Sequence, residues 1–223
     1  IYIKINEYIF KNVLYIPILY FIFNFFLENN LFSYTLMMKI FSINYYYNNY
    51  QSFDKLTFMQ TQLKPWIRFT DTGYIATLIY YFNPNFYPIA FNIHFAICIG
   101  YWCIMTFFGI SDVDGIKGET FYYYYQKIMS YSLHLLPLIM LSKDLCIYQK
   151  LFDEKSLLFS TLWTISWFFF VLIPWKIITK DSIYTIFNDN VANSKKLFVI
   201  IFMLSLVNLS NNIGIMTSKY ICN

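Results

Sequence analysis

The sequence predicts an all-α integral membrane protein, a bundle of about six transmembrane helices. Of its 223 residues, 58% are hydrophobic and only 13% are charged. Apolar runs of about 20 residues recur along the chain, which is the length that a helix needs to cross the hydrocarbon core of a bilayer. A chain of this length has no room for a bundle plus a soluble domain, so we expect residues 1–223 to form a single transmembrane domain.

The apolar runs divide the chain into six predicted spans, at about 8–27, 69–82, 86–110, 121–141, 156–175 and 197–216. The second span is the weakest because it is short and includes Thr70, Asp71, Thr72 and Gly73. If it were re-entrant, five helices would cross. Lysine and arginine are more numerous on the side of loop 29–65 than on the side of the termini, and this imbalance predicts that the loop is on the matrix side.

The amino-acid composition indicates what kind of genome encodes the chain. The chain has 25 Phe and 22 Tyr, and of its 16 basic residues only Arg68 is an arginine. Such a bias follows A/T-rich codons, and it resembles that of mitochondrially encoded proteins of protists, ciliates in particular. The resemblance implies a multi-pass protein of the mitochondrial inner membrane, and a subunit of the respiratory chain.

Within that class the sequence favours a non-catalytic subunit of an oxidative phosphorylation complex or supercomplex. Arg68 is at the start of a span, unlike the mid-span arginine of a proton-channel subunit, and two histidines are too few for a multi-haem cytochrome b. The expected partners are other membrane subunits and phospholipids, including cardiolipin at surface lysines. We expect no cofactor and, without a basic run, no nucleic acid.

An alternative function comes from Thr70 and His134. A threonine hydroxyl becomes a nucleophile when a base takes its proton, and His134 is a candidate base. Asp144 comes ten residues after His134, nearly three helical turns, so it cannot orient that imidazole. The competing interpretation is that Thr70 or Asp71 caps the second span.

A second resemblance favours this alternative. Over about 66–188, the order of the residues is similar to that of the androgen-induced-gene family of six-span membrane hydrolases. The matching residues are Trp66, Thr70, Tyr80, Tyr81, Phe82, Phe107, Phe108, Asp114, His134, Pro137, Asp144, Trp167 and Tyr184. The resemblance implies hydrolysis of fatty acid esters of hydroxy fatty acids, with Thr70 and His134 as the catalytic pair. Pro137 follows the histidine more closely than in the family, and His94 has no counterpart there.

A third possibility is a membrane anchor that binds haem b. His94 and His134 are the only histidines, and each falls within a predicted span. Counted from the loop at 111–120, they lie at depths of roughly 24 and 20 Å on antiparallel neighbours. Two imidazoles at similar depth could ligate one haem axially.

The remaining polar and aromatic residues have structural interpretations. The four cysteines form no CxxC pair, so the sequence predicts neither a metal site nor a disulfide framework. Trp163 and Trp167 are four residues apart and predict a packing stripe on one helical face. Asn208, Asn211 and Asn212 are expected to hydrogen-bond to neighbouring helices or to the interface.

Overall fold

The computed structural model describes Gln60, Leu63 and the ranges 66–108, 120–180 and 182–221. The first predicted span, most of the loop at 29–65 and the loop at 111–119 lie outside these residues. Within the described ranges every regular element is helical. The helices are α1 (Phe69–Phe82), α2 (Tyr87–Phe108), α3 (Thr120–Lys143), α4 (Leu145–Tyr148), α5 (Glu154–Trp167), α6 (Ile173–Thr179) and α7 (Asn193–Tyr220).

Short irregular helices join these elements. A 3₁₀ turn at Pro84–Phe86 links α1 to α2, within the turn that the two prolines of 83–88 predict. A π-helical segment, Phe168–Leu172, joins α5 to α6 without a break. A capping box of Asp153 and Ser156 begins α5, and Lys180 ends α6 in the left-handed conformation with φ 58°.

Three helical segments of the described chain are long and apolar enough to cross a membrane: Pro84–Phe107, Glu154–Thr179 and Asn193–Thr217. The prediction of an all-helical membrane protein is therefore confirmed at this coarser level. Helix α1 is 14 residues long. At 1.5 Å per residue it spans about 21 Å, less than the roughly 30 Å of a hydrocarbon core.

Helix α2 is the centre of the packing. It contacts α1, α3, α5 and α7. Where it meets α5 and α7, a fully buried asparagine, Asn92, donates to Ser160 Oγ (3.0 Å) and to Asn211 Oδ1 (3.1 Å). Ser210 Oγ donates to Asn92 Oδ1 at 2.8 Å. Because these polar groups satisfy one another, they can be buried between three helices without a desolvation penalty.

The described helices decide three predictions about side chains. The helix-capping interpretation of Thr70 and Asp71 is wrong, because the N-cap residue of α1 is Arg68, and its side chain makes no capping hydrogen bond. Cys98 and Cys103 are free thiols, but Cys146 is disulfide-bonded. The prediction that the cysteines form no disulfide is therefore wrong for Cys146. Trp163 and Trp167 do face one neighbour, because their indole N–H groups donate to Thr72 Oγ1 and to the carbonyl of Ile67.

Candidate active site

Thr70 lies in the first turn of α1 and is 5% exposed. The backbone on its N-terminal side is held by Trp167, whose indole N–H donates to the Ile67 carbonyl at 2.6 Å. The same indole packs edge-on against Phe69, with ring centroids 5.3 Å apart. The start of α1 is therefore fixed against α5, and the position of the threonine hydroxyl is fixed with it.

His134 comes from α3 and contacts Thr70 directly. The distance from Thr70 Oγ1 to His134 Nε2 is 3.4 Å, and the imidazole is 4% exposed. His134 Nδ1 lies 2.6 Å from the carbonyl oxygen of Ser130, one turn earlier in α3. A carbonyl only accepts, so Nδ1 carries the proton, and Nε2 of the neutral ring is left as the acceptor for the threonine hydroxyl.

Two further groups fix the plane of the imidazole. The ring of Tyr101, from α2, stacks on His134 with centroids 3.7 Å apart and an interplanar angle of 10°. The Tyr101 hydroxyl lies 2.9 Å from Ser130 Oγ. Ser130 is therefore in contact with both rings, through its carbonyl and its hydroxyl. Sequence reasoning had not singled out Tyr101 or Ser130.

Tyr184 is the third side chain at Thr70. Its hydroxyl accepts from the Thr70 backbone N–H (3.2 Å) and lies 3.2 Å from Thr70 Oγ1. The segment after α6 that carries it is held by Lys176, which donates to the Phe187 carbonyl at 2.7 Å and pairs with Asp189. The Lys176 ammonium lowers the pKa of the Asp189 carboxyl below its ordinary value.

These contacts form one directed chain of hydrogen bonds. The Thr70 hydroxyl donates to His134 Nε2, so its oxygen accepts from Tyr184. The imidazole in turn donates to the carbonyl of Ser130. A buried threonine is thereby connected to a base that can take its proton and to a phenol that can donate to a developing negative charge. The structure thus brings the predicted pair, Thr70 and His134, into contact.

Asp144 takes no part in this chain. It follows the end of α3, where it accepts from the Tyr80 hydroxyl at 3.4 Å. The role of orienting His134, which a carboxylate has in many catalytic triads, is performed here by the backbone carbonyl of Ser130.

His94, from α2, contacts α1 at a different residue. It is fully buried, and its Nε2 lies 2.9 Å from the hydroxyl of Thr77. Thr77 follows Thr70 by two helical turns, about 10 Å along the axis. The two imidazoles therefore contact hydroxyls that are about two turns apart on α1. The prediction that they ligate one haem is tested by the loss of b-type absorbance in His94→Ala.

Comparison with known proteins adds no further identification. No protein-family model matches the chain, and neither a curated protein nor a solved structure matches it. The function is therefore argued from the site.

Proposed function

We propose that this protein is an intramembrane hydrolase of lipid esters, with Thr70 as the nucleophile and His134 as the general base. The observation that carries the proposal is the contact of Thr70 Oγ1 with His134 Nε2 at 3.4 Å, inside a bundle with three candidate membrane-spanning segments. A third side chain, Tyr184, contacts the same threonine oxygen at 3.2 Å and adds support, because its hydroxyl can donate to a developing negative charge.

The first half of the reaction forms an acyl-threonine. Thr70 Oγ1 attacks the carbonyl carbon of the ester while its proton passes to His134 Nε2. The negative charge that develops on the carbonyl oxygen is stabilised by the Tyr184 hydroxyl, which is 3.2 Å from the attacking oxygen. When the intermediate collapses, the bond to the alkoxy oxygen breaks, and His134 gives its proton to the departing alcohol.

The second half regenerates the threonine. A water molecule attacks the acyl carbonyl and passes a proton to His134, and the bond to Thr70 Oγ1 breaks. The imidazolium then returns the proton to that oxygen, which releases the fatty acid. In both halves the Ser130 carbonyl holds the Nδ1 proton, so the ring exchanges protons only through Nε2.

The substrate class follows from the environment of the site. Aromatic rings lie close to the pair: Tyr101 stacks on His134, and Trp167 contacts the ring of Tyr184, whose hydroxyl reaches Thr70. Aromatic surfaces of this kind favour contact with an apolar acyl chain. The resemblance to the androgen-induced-gene family supports the same class, and it favours fatty acid esters of hydroxy fatty acids together with a six-helix bundle.

The test is hydrolysis of long-chain esters by the purified chain in lipid nanodiscs. We expect Thr70→Ala and His134→Ala each to lower the rate by about 100-fold or more, the range of a positioned acid or base. Thr77→Ala is a matched control, since it removes a buried threonine hydroxyl from the same helix that also contacts an imidazole. Full activity in Thr70→Ala would overturn the proposal.

A second proposal is a non-catalytic subunit of an oxidative phosphorylation complex in the mitochondrial inner membrane. The observation in its favour is the wide apolar surface of α5, α6 and α7. Large side chains exposed there include Phe159, Phe169, Phe170, Ile177, Ile178, Phe198 and Ile201. Other membrane subunits could cover this surface, and anionic lipids such as cardiolipin could bind at Lys180, Lys195 and Lys196 near its end.

A native gel of mildly solubilised source membranes tests this second proposal. Mass spectrometry would locate the chain, and comigration with a respiratory complex in fixed stoichiometry would support it. Migration as a small free species would contradict it.

A further inference from the structure

Arg68 is the one arginine of the sequence, and it lies directly before α1 with 4% of its surface exposed. Its guanidinium carbon is 5.5 Å from the centroid of the Tyr184 ring. The hydroxyl of that tyrosine contacts Thr70 Oγ1 at 3.2 Å. A buried cation and the nucleophile of the proposed reaction therefore contact the same tyrosine, the cation at its ring and the threonine at its hydroxyl.

The choice of arginine here is informative. Every other basic side chain in the sequence is a lysine. An ammonium would supply the charge, but it lacks the planar surface that stacks on an aromatic ring and the paired N–H groups that match an oxyanion. Burying any cation carries a desolvation cost of several kcal/mol, and the contact with the Tyr184 ring offsets part of that cost. The position therefore uses properties that are specific to a guanidinium.

We propose that Arg68 binds the anionic group of the substrate, a carboxylate or a phosphate that lies within a few bonds of the ester to be cleaved. This inference rests on the proposed hydrolase function. A guanidinium has five N–H donors, so it can hold a partner in the protein and a ligand at the same time. A bidentate contact to the ligand oxyanion would place the ester carbonyl next to Thr70.

A role of Arg68 in binding an anion restricts the substrate to lipid esters with an anionic group close to the ester bond. An ester whose acid group is far along the chain cannot reach Arg68 and Thr70 together without folding back. A neutral ester gains nothing from the guanidinium. The enzyme should therefore prefer esters with a proximal anionic group to neutral esters and to esters with a remote acid.

Four esters with the same acyl chain test this preference in nanodiscs of neutral lipid. They are a monoacylglycerol, the corresponding monoacylglycerol phosphate, a 2-acyloxy carboxylate, and an ester whose carboxylate is at the far end of the chain. Arg68→Gln should lower kcat/KM for the two proximal anionic esters by about 10- to 150-fold, as expected for a lost hydrogen bond to a charged group. The other two esters should change by less than about threefold.

Two variants and one inhibitor accompany the series. Arg68→Lys keeps the charge and should restore only part of the preference. Lys150→Gln removes a charge from an exposed side chain and should leave all four rates unchanged. A long-chain alkyl phosphate or carboxylate should inhibit the unmodified protein more strongly than the alcohol of the same length, and this measurement does not depend on the folding of any variant.

The outcomes separate the two proposals. A loss confined to the phosphate ester, or to the carboxylate ester, supports the inference and identifies the anion. An equal loss on all four esters, or none, overturns it while hydrolysis still depends on Thr70. If no ester is hydrolysed, or Thr70→Ala is fully active, the proposed function fails and this inference fails with it.

Discussion

At the scale of single residues, α1 presents the same chemical pair twice. Thr70 and Thr77 are seven residues apart on one face, and each hydroxyl lies against the Nε2 of a buried histidine. Their hydrogen bonds differ in direction. Thr77 donates to the Gly73 carbonyl at 3.1 Å, so it accepts from His94, whereas Thr70 donates to His134. Only the Thr70 pair has an imidazole poised to take a proton.

The stacking of Tyr101 on His134 predicts a role in holding the base. Tyr101→Leu removes the stacked ring, and kcat should fall about 2- to 10-fold, as the energy of an aromatic pair implies. Tyr101→Phe keeps the ring and loses the contact with Ser130 Oγ, so its kcat should stay near that of the unmodified protein. Steady-state kinetics on one ester, with KM measured separately, decides between these results. Equal kcat values for the two variants would contradict the prediction.

At the scale of residues, some side chains of the site could be predicted from the sequence and others could not, for physical reasons. Thr70 and His134 could be predicted as a pair from their chemistry, a hydroxyl and a candidate base that each fall in a predicted span, but their contact depends on helix packing. Tyr101 could not, since 22 tyrosines are distributed along the chain and ring stacking leaves no mark in spacing. The role of the Ser130 carbonyl could not be predicted either, because a backbone group has no sequence signature.

Replacing Asn92 tests the buried polar cluster between α2, α5 and α7. Asn92→Ala leaves Ser160, Ser210 and Asn211 without the partner that they share, which should cost about 1–3 kcal/mol of stability. Asn208→Ala is the matched control, because Asn208 is exposed on α7 and its side-chain oxygen accepts a hydrogen bond from Asn212, which is also exposed. Thermal unfolding in detergent should show a lower Tm for Asn92→Ala alone. Equal Tm values would contradict a structural role of the cluster.

At the scale of helices, the sequence predicts centres better than ends. The predicted span at 69–82 coincides with α1, and the span at 86–110 differs from α2 by one or two residues. The spans at 156–175 and 197–216 are too short, because the helices extend over Glu154–Thr179 and Asn193–Tyr220. An apolar run marks only the hydrocarbon-facing part of a helix, whereas caps such as Asp153 add polar turns beyond it.

Close helix packing predicts that substitution by alanine is tolerated at one glycine, Gly100, and not at another, Gly214. A Cβ at Gly214 would lie 2.3 to 2.6 Å from three ring atoms of Phe152, a buried side chain between α4 and α5. A Cβ at Gly100 would meet Met203 Sδ at 2.6 Å, and a flexible methionine can move aside. Both substitutions gain about 1 kcal/mol of helix propensity. Gly214→Ala should nevertheless be destabilised by about 1–3 kcal/mol of overpacking, whereas Gly100→Ala should not.

Thermal unfolding of these two variants in the same detergent provides the measurement. The expected order of Tm is Gly214→Ala below the unmodified protein, and Gly100→Ala at or above it. A Gly214→Ala variant as stable as Gly100→Ala would mean that α7 does not pack on Phe152 this closely.

At the scale of the whole molecule, the described part distributes polarity as membrane proteins do. Fully buried polar side chains, among them Asn92, His94 and Ser160, lie between helices. Large apolar side chains such as Phe170 and Ile178 are exposed on the outer surface. In water this surface would promote aggregation, but in a bilayer it contacts lipid. The composition alone favoured a non-catalytic subunit, whereas the geometry at Thr70 favours a hydrolase that this bundle encloses.

The continuous rod formed by α5, the π-helical segment and α6 predicts the topology. Its 26 residues, Glu154–Thr179, rise about 39 Å, enough to cross a hydrocarbon core of about 30 Å. Lys155 and Lys180 are exposed at its two ends and should therefore lie on opposite sides of the membrane. In a background with serine at Cys98 and Cys103, Lys155→Cys and Lys180→Cys should react with an impermeant maleimide from opposite sides. Lys143→Cys, at the end of α3 beside the start of this rod, should react from the same side as Lys155→Cys, and reaction of all three from one side would show that the rod does not cross.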